Sequence, residues 1–135
     1  MSKSRVLIVE DDALIALDVR EALLAAGYEV CGMATSEDEA IDEARRTHPD
    51  FAVVDVNLAP GDGRSVARAL SEVHTAVLFA TGQCDDVRRL NGAGAIACLP
   101  KPYNAADVPR ALRAVANLVE GRPPGPTPDA MFALA

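Results

Sequence analysis

The chain has 135 residues, half of them hydrophobic, which suits one domain with a single core. Its formal net charge of −7 argues against a nucleic-acid surface, which needs a basic patch, but is compatible with cation binding. No apolar run approaches the roughly 20 residues that span a bilayer, and the first strand-like run is too short for a signal peptide. We therefore expect a cytoplasmic protein that binds neither nucleic acid nor membrane.

Hydrophobic periodicity predicts five strands that alternate with five helices. The predicted strands are Arg5–Val9, Tyr28–Met33, Phe51–Asp55, Thr75–Ala80 and Ala95–Leu99. Ser36 and Glu39 form a capping-box pattern that opens the second helix. The fourth helix, Asp85–Leu90, is short, and the last begins after either Asn104 or Asp107. Such alternation favours parallel strands with right-handed crossovers, which build a doubly wound α/β domain.

The composition changes at Gly121 into a stretch rich in proline and glycine. Such a stretch is extended and mobile. We therefore assign residues 1–120 to the domain and residues 121–135 to a flexible C-terminal tail. The final segment, Asp129–Ala135, either docks on the core or a neighbour or stays disordered, and we favour disorder because most termini are poorly ordered.

The three cysteines, Cys31, Cys84 and Cys98, are widely spaced and odd in number. Their spacing matches neither a metal site nor a disulfide framework. We expect three reduced thiols.

Polar residues follow the predicted strands at the edge where α/β sheets bind ligands. They are Glu10, Asp11 and Asp12 after the first strand, Asp55 after the third, Thr81 after the fourth and Lys101 after the fifth. Clustered acids repel one another unless a cation lies among them, and their hard oxygens select Mg²⁺, Mn²⁺ or Ca²⁺. Asp12 is equally well explained as the cap of the first helix.

Phosphoryl transfer to a carboxylate requires this set of residues. Asp55 attacks phosphorus and becomes an aspartyl phosphate, while the cation neutralises the acids. Lys101 pairs with one phosphoryl oxygen, and Thr81 donates a hydrogen bond to another.

In this order and spacing, the residues resemble the receiver domain of two-component response regulators, over about Arg5 to Glu120. The resemblance implies a flavodoxin-like (CheY-like) fold with strand order 2-1-3-4-5. It makes Asp55 the phosphoacceptor and Thr81 and Lys101 its catalytic partners. It also implies that Mg²⁺, or Mn²⁺, is held by Glu10 through water, by Asp11 and Asp55, and by the backbone carbonyl of Asn57. Pro102 permits the cis peptide bond that the family often has after its lysine.

Two features separate this sequence from most receivers. Cys98 lies where the family usually has a tyrosine or phenylalanine that couples phosphorylation to its switch. Phe79-Ala80-Thr81-Gly82 resembles the FATGUY subgroup, which also lacks that aromatic residue. The resemblance implies a single-domain phosphorelay protein, monomeric or weakly dimeric, whose partner is a histidine kinase, with the HWE type as one candidate, or a phosphotransfer protein. We expect Asp85–Leu90 to be the most mobile ordered segment and the one that phosphorylation orders.

Other functions fit less well. A haloacid-dehalogenase-type phosphohydrolase needs a second aspartate two residues after its nucleophile, and Asn57 lies there instead. The remaining alternative is a degenerate receiver that binds partners without being phosphorylated. We expect no enzyme in the usual sense, only self-phosphorylation from phosphodonors and autodephosphorylation.

Overall fold

The computed structural model describes residues 3–58, 60–89, 91–128 and 131–134, in which helices cover both faces of a sheet. Five parallel strands lie in the order β2-β1-β3-β4-β5, which confirms the predicted fold and strand order. The strands are β1 (Arg5–Val9), β2 (Glu29–Ala34), β3 (Phe51–Val54), β4 (Ala76–Thr81) and β5 (Ala97–Pro100). The helices are α1 (Ala13–Ala25), α2 (Glu37–Thr47), α3 (Gly63–Glu72), α4 (Cys84–Arg89) and α5 (Asp107–Val119), with a short 3₁₀ helix at Asn91–Gly94. Leu90, the last residue of the predicted fourth helix, lies outside the described residues.

The core has two parts, one on each face of the sheet. Successive side chains of a strand point to opposite faces, so Leu7 and Val9 join one cluster while Val6 and Ile8 join the other. All four side chains are almost fully buried. This two-sided burial explains why the strands are continuous apolar runs rather than alternating ones. No described helix combines the length and the apolar character that crossing a membrane requires.

The helix starts agree with the sequence in one case and differ in another. The Ser36 hydroxyl caps α2 by accepting a hydrogen bond from the Glu39 backbone. At α5 neither expected residue is the cap: Ala106 occupies that position without a capping side chain. Pro109 lies in the first turn, where its missing N–H leaves no helical hydrogen bond unmade.

The tail differs from the favoured interpretation. Phe132–Ala133 form a sixth strand, β6, antiparallel to β5, and the Leu134 backbone N–H donates to the Ile96 carbonyl at 2.8 Å. Leu134 and Met131 pack against the core. The physical reason is the exposed edge of β5, whose backbone groups β6 partly satisfies. Residues 131–134 thus dock on the core, while 129, 130 and 135 lie outside the described residues.

The expectation of three reduced thiols is wrong for two of them. Cys84 and Cys98 form a disulfide, with their Cα atoms 5.9 Å apart, and Cys31 is free. Their separation of 14 residues in the sequence does not indicate that the two cysteines pair. The two cysteines meet because β5 lies beside β4 and α4 begins shortly after β4 ends.

Candidate functional site

Three carboxylates converge at the carboxyl ends of β1 and β3. Oxygens of Glu10, Asp11 and Asp55 lie within 4.8 Å of one another. Glu10 and Asp55 are buried and Asp11 is exposed. The two strands are adjacent, and the Asp55 backbone N–H donates to the Val9 carbonyl at 2.9 Å. The apolar runs of β1 and β3 therefore place these acids together, as the sequence predicted.

Lys101 reaches the same cluster from the end of β5. Its Nζ donates to Glu10 Oε1 and to Asp55 Oδ2, both at 2.8 Å. The peptide bond between Lys101 and Pro102 is cis. One ammonium thus bridges two buried carboxylates whose charges otherwise repel each other.

Burial and this ion pairing shift the pKa values of both partners. Burial raises the pKa of Glu10, and the hydrogen bond from Lys101 only partly offsets that effect. Burial alone lowers the pKa of Lys101, but hydrogen bonds to Asp55 and Glu10 outweigh it, and the net pKa is raised. The lysine is therefore a fixed positive charge at neutral pH.

Asp12 does not belong to the acid cluster of the described residues. Its Oδ1 accepts hydrogen bonds from the backbone N–H groups of Leu14, at 3.0 Å, and Ile15, at 3.2 Å. It is the N-cap of α1. Of the two interpretations left open by the sequence, the structure therefore shows the cap.

Thr81 and Asn57 lie in the loops that flank Asp55. Thr81 is fully buried at the end of β4, and its carbonyl accepts from the Lys101 backbone N–H at 2.9 Å. The Asn57 backbone N–H donates to Asp55 Oδ1 at 3.1 Å. Both predicted residues therefore neighbour the cluster, although neither side chain hydrogen-bonds to Asp55 in the described contacts.

Gln83 links these two loops, a role that sequence reasoning missed. Its side-chain Nε2 donates to Asn57 Oδ1 at 3.0 Å, and its backbone N–H donates to Thr81 Oγ1 at 3.3 Å. The available signal was its position, two residues after Thr81 in a loop at the binding edge of the sheet.

Gly63 permits the close approach of α3 to the site. A Cβ atom there would overlap the Asp55 carbonyl oxygen and lie 2.6 Å from the Val56 Cα. Only a residue without a side chain lets α3 begin this close to the end of β3.

The donor set fits a hard divalent cation. Glu10, Asp11 and Asp55 offer only carboxylate oxygens, which suit Mg²⁺ or Mn²⁺ and not a soft metal. The pKa of Glu10 is raised because burial disfavours its charged form. A cation bound beside it would stabilise that charged form.

An apolar groove of about 380 Å³ borders the cluster and was not predicted. Lys101 belongs to both, and Ile15, Val19 and Tyr103 line the groove. Burial raises the pKa of Tyr103 to about 12. Leu14, which precedes the groove-lining Ile15 on α1, keeps 75% of its surface exposed. This apolar surface lies next to the acids and is large enough to receive side chains of a partner.

Comparisons with known proteins agree with this geometry. The family profile described as "Response regulator receiver domain" matches residues 6–113. Transcriptional regulatory protein PdtaR of Mycobacterium tuberculosis is 40% identical over 107 residues, covering 77% of this chain and 52% of PdtaR. The chain thus spans about half the length of that relative. Chemotaxis protein CheY of Thermotoga maritima is 30% identical over 117 residues, covering 84% of this chain and 98% of CheY. The crystal structure of a CheY-like receiver domain protein from Methanospirillum hungatei has a TM-score of 0.78 and 27% identity, covering 89% of this chain and 98% of that one.

Proposed function

The chain belongs to the response regulator receiver domain family, and from this premise we propose that it accepts a phosphoryl group on Asp55 from a histidine kinase or a phosphotransfer protein. One observation carries the proposal: Lys101 and a second buried acid, Glu10, converge on Asp55 at the binding edge of the sheet. A lone surface aspartate has no need of such an arrangement. Transfer of phosphoryl groups does, because positioning and charge compensation dominate that reaction.

Each residue has a role in the proposed reaction. An Asp55 carboxylate oxygen attacks phosphorus and forms the new O–P bond, while the bond to the donor's imidazole nitrogen breaks and its electron pair stays on that nitrogen. Lys101 pairs with a phosphoryl oxygen, and the Thr81 hydroxyl donates to another. Mg²⁺ or Mn²⁺, when bound, supplies positive charge that offsets the acids and the phosphoryl oxygens.

The metal role is assigned residue by residue. Asp11 and Asp55 would hold the cation directly, Glu10 would act through water, and the Asn57 backbone carbonyl would complete the set. The acid cluster supports the first three, since their oxygens lie within 4.8 Å of one another. The hydrogen bond from the Asn57 backbone N–H to Asp55 Oδ1 supports the fourth, since it holds residue 57 beside the site.

The donor docks over the groove beside Lys101. A phosphorylated histidine must reach Asp55, so its protein needs a contact surface that borders the acids. The groove offers one, with Ile15 and Tyr103 in its wall and the exposed Leu14 next to Ile15 in sequence. An amphipathic helix carrying the histidine suits a concave apolar surface of this kind.

The proposal extends to the location, oligomeric state and partners of the protein. The protein acts in the cytoplasm as a monomer or weak dimer, and passes its signal on through protein contacts in a phosphorelay. The Phe79–Gly82 sequence supports membership of the FATGUY subgroup and an HWE-type kinase as donor. These two assignments rest on analogy with that subgroup.

Intact-mass spectrometry with acetyl phosphate and Mg²⁺ tests the proposal. We expect one phosphoryl adduct on the wild-type chain and none on Asp55→Asn or after removal of the metal. Asp12→Asn is the matched control, because Asp12 caps α1 outside the acid cluster and should leave the adduct intact. If no donor produces an adduct, the chain is a degenerate receiver that binds partners without phosphorylation.

A further inference from the structure

The disulfide joins two segments that each carry a proposed site residue. Cys84 is the first residue of α4 and lies three positions after Thr81; Cys98 lies in β5, three positions before Lys101. Both cysteines are buried, Cys84 at 4% exposure and Cys98 at 0%. The bond therefore ties the loop after β4 to the strand that delivers the lysine.

The loop between Thr81 and Cys84 is closely connected to the site. Gln83 donates hydrogen bonds to both Thr81 and Asn57. The Cys84 sulfur lies 3.7 Å from the Thr81 carbonyl oxygen. Any displacement of Thr81 toward a phosphoryl group must move this loop. A covalent bond from Cys84 to β5 restricts that displacement because it holds the end of the loop in place.

Access to the buried sulfurs requires local opening of α4. Within the described residues the helix has six, and beside Cys84 the buried hydrophobic residue among them is Val87. A short helix with so few apolar contacts opens at low free-energy cost. Side chains of both charges, Asp85, Asp86 and Arg88, are exposed on this helix. A protein dithiol of the Cys-x-x-Cys class is the fitting reaction partner.

We propose that Cys84 and Cys98 form a reversible thiol–disulfide site that sets how far Thr81 and the loop after β4 can move. This inference rests on the proposed function, and on a cytoplasmic location in particular, where disulfides are usually transient and redox-sensing. The oxidised form holds the loop and slows phosphorylation. The reduced form releases it.

A protein disulfide is the oxidant that forms the Cys84–Cys98 bond by thiol–disulfide exchange. The Cys84 thiolate attacks one sulfur of that disulfide, breaking its S–S bond and forming a mixed disulfide. The Cys98 thiolate then attacks the Cys84 sulfur and expels the oxidant's thiolate. The two cysteines of this chain lose two protons and two electrons, and the oxidant gains them as its dithiol. Reduction is the reverse, with the dithiol as the electron donor.

Amide hydrogen exchange on the full chain tests the mechanical part. The two states are oxidised protein and protein reduced with dithiothreitol, each verified by counting alkylated cysteines. We expect exchange in residues 82–89 and 91–94 to become about tenfold faster on reduction. Cys31→Ser should keep this difference, and Cys98→Ala should exchange fast in both conditions. Equal exchange in oxidised and reduced wild-type protein overturns the proposal, a comparison that does not depend on whether Cys98→Ala folds.

The rate of phosphorylation by acetyl phosphate tests the coupling. We expect the reduced protein to be labelled several-fold faster than the oxidised protein. Labelling at equal rates overturns the coupling while the proposed function stands. Labelling of neither form contradicts the proposed function, and the exchange measurement then decides on the thiol–disulfide site alone.

Discussion

Replacing Lys101 by methionine removes one charge while keeping most of the side chain's volume. In the absence of metal, the change leaves Glu10 and Asp55 facing each other without a counter-charge. Their oxygens lie within 4.8 Å of each other. At that distance and an effective dielectric constant of about 20, the repulsion is about 3 kcal/mol. Loss of one partner from a buried pair costs about 3–5 kcal/mol, which agrees. We expect the free energy of unfolding of Lys101→Met to fall by about 3 kcal/mol at neutral pH.

Urea unfolding in the presence of a chelator measures this loss, and pH identifies its cause. The folded-state pKa of Glu10 is raised above its ordinary value of 4.5, so protonated Glu10 is favoured in the folded protein. Lowering the pH toward 4.5 protonates Glu10, removes the repulsion and should therefore shrink the loss. Mg²⁺ should stabilise the variant more than the wild type, because no lysine competes for the acids. Arg20→Ala, which removes an exposed ion pair, should cost less than about 1 kcal/mol. A loss for Lys101→Met equal to that control, or one unchanged at low pH, refutes the electrostatic explanation.

Three further predictions follow from separate contacts. Leu14→Ser should slow phosphotransfer from the kinase but not from acetyl phosphate, whereas Val73→Ser, an exposed apolar change on another surface, should alter neither rate. Gly63→Ala should cost about 3 kcal/mol in urea unfolding and slow labelling of the phosphoacceptor, because its Cβ overlaps backbone, while Gly82→Ala has open space and should be mild. Above pH 10 the unfolded state ionises Tyr103 while the folded state, with its pKa near 12, does not; stability should therefore fall as pH rises, and less steeply in Tyr103→Phe. The docking role of Leu14 is contradicted if Leu14→Ser slows phosphorylation by both the kinase and acetyl phosphate. The close approach at Gly63 is contradicted if Gly63→Ala leaves stability unchanged. The role of Tyr103 is contradicted if Tyr103→Phe loses stability above pH 10 as steeply as the wild type.

The acid cluster was predictable because it depends on topology. Apolar β-branched runs place strands in the interior of a parallel sheet, and each run ends in the residue it delivers to the common edge. Glu10, Asp55 and Lys101 therefore meet although they are far apart in sequence. The role of Asp12 was left open because aspartate serves equally well as a cap and as a ligand.

Other features depend on side-chain detail that the sequence pattern does not carry. The Cys84–Cys98 bond requires α4 to begin against β5, which a 14-residue spacing alone does not indicate. The Gln83 bridge depends on the path of two loops. Docking of residues 131–134 depends on an unsatisfied strand edge, a tertiary feature that outweighs the mobility suggested by the proline-rich stretch before it.

Identification of the residue that carries the phosphoryl group decides whether Asp55 is the phosphoacceptor. After reaction with acetyl phosphate and Mg²⁺, borohydride converts an aspartyl phosphate into homoserine, which peptide sequencing by mass spectrometry identifies. We expect homoserine at position 55 alone, and none when the metal is removed. Homoserine at another aspartate, or labelled protein without homoserine at position 55, would contradict it.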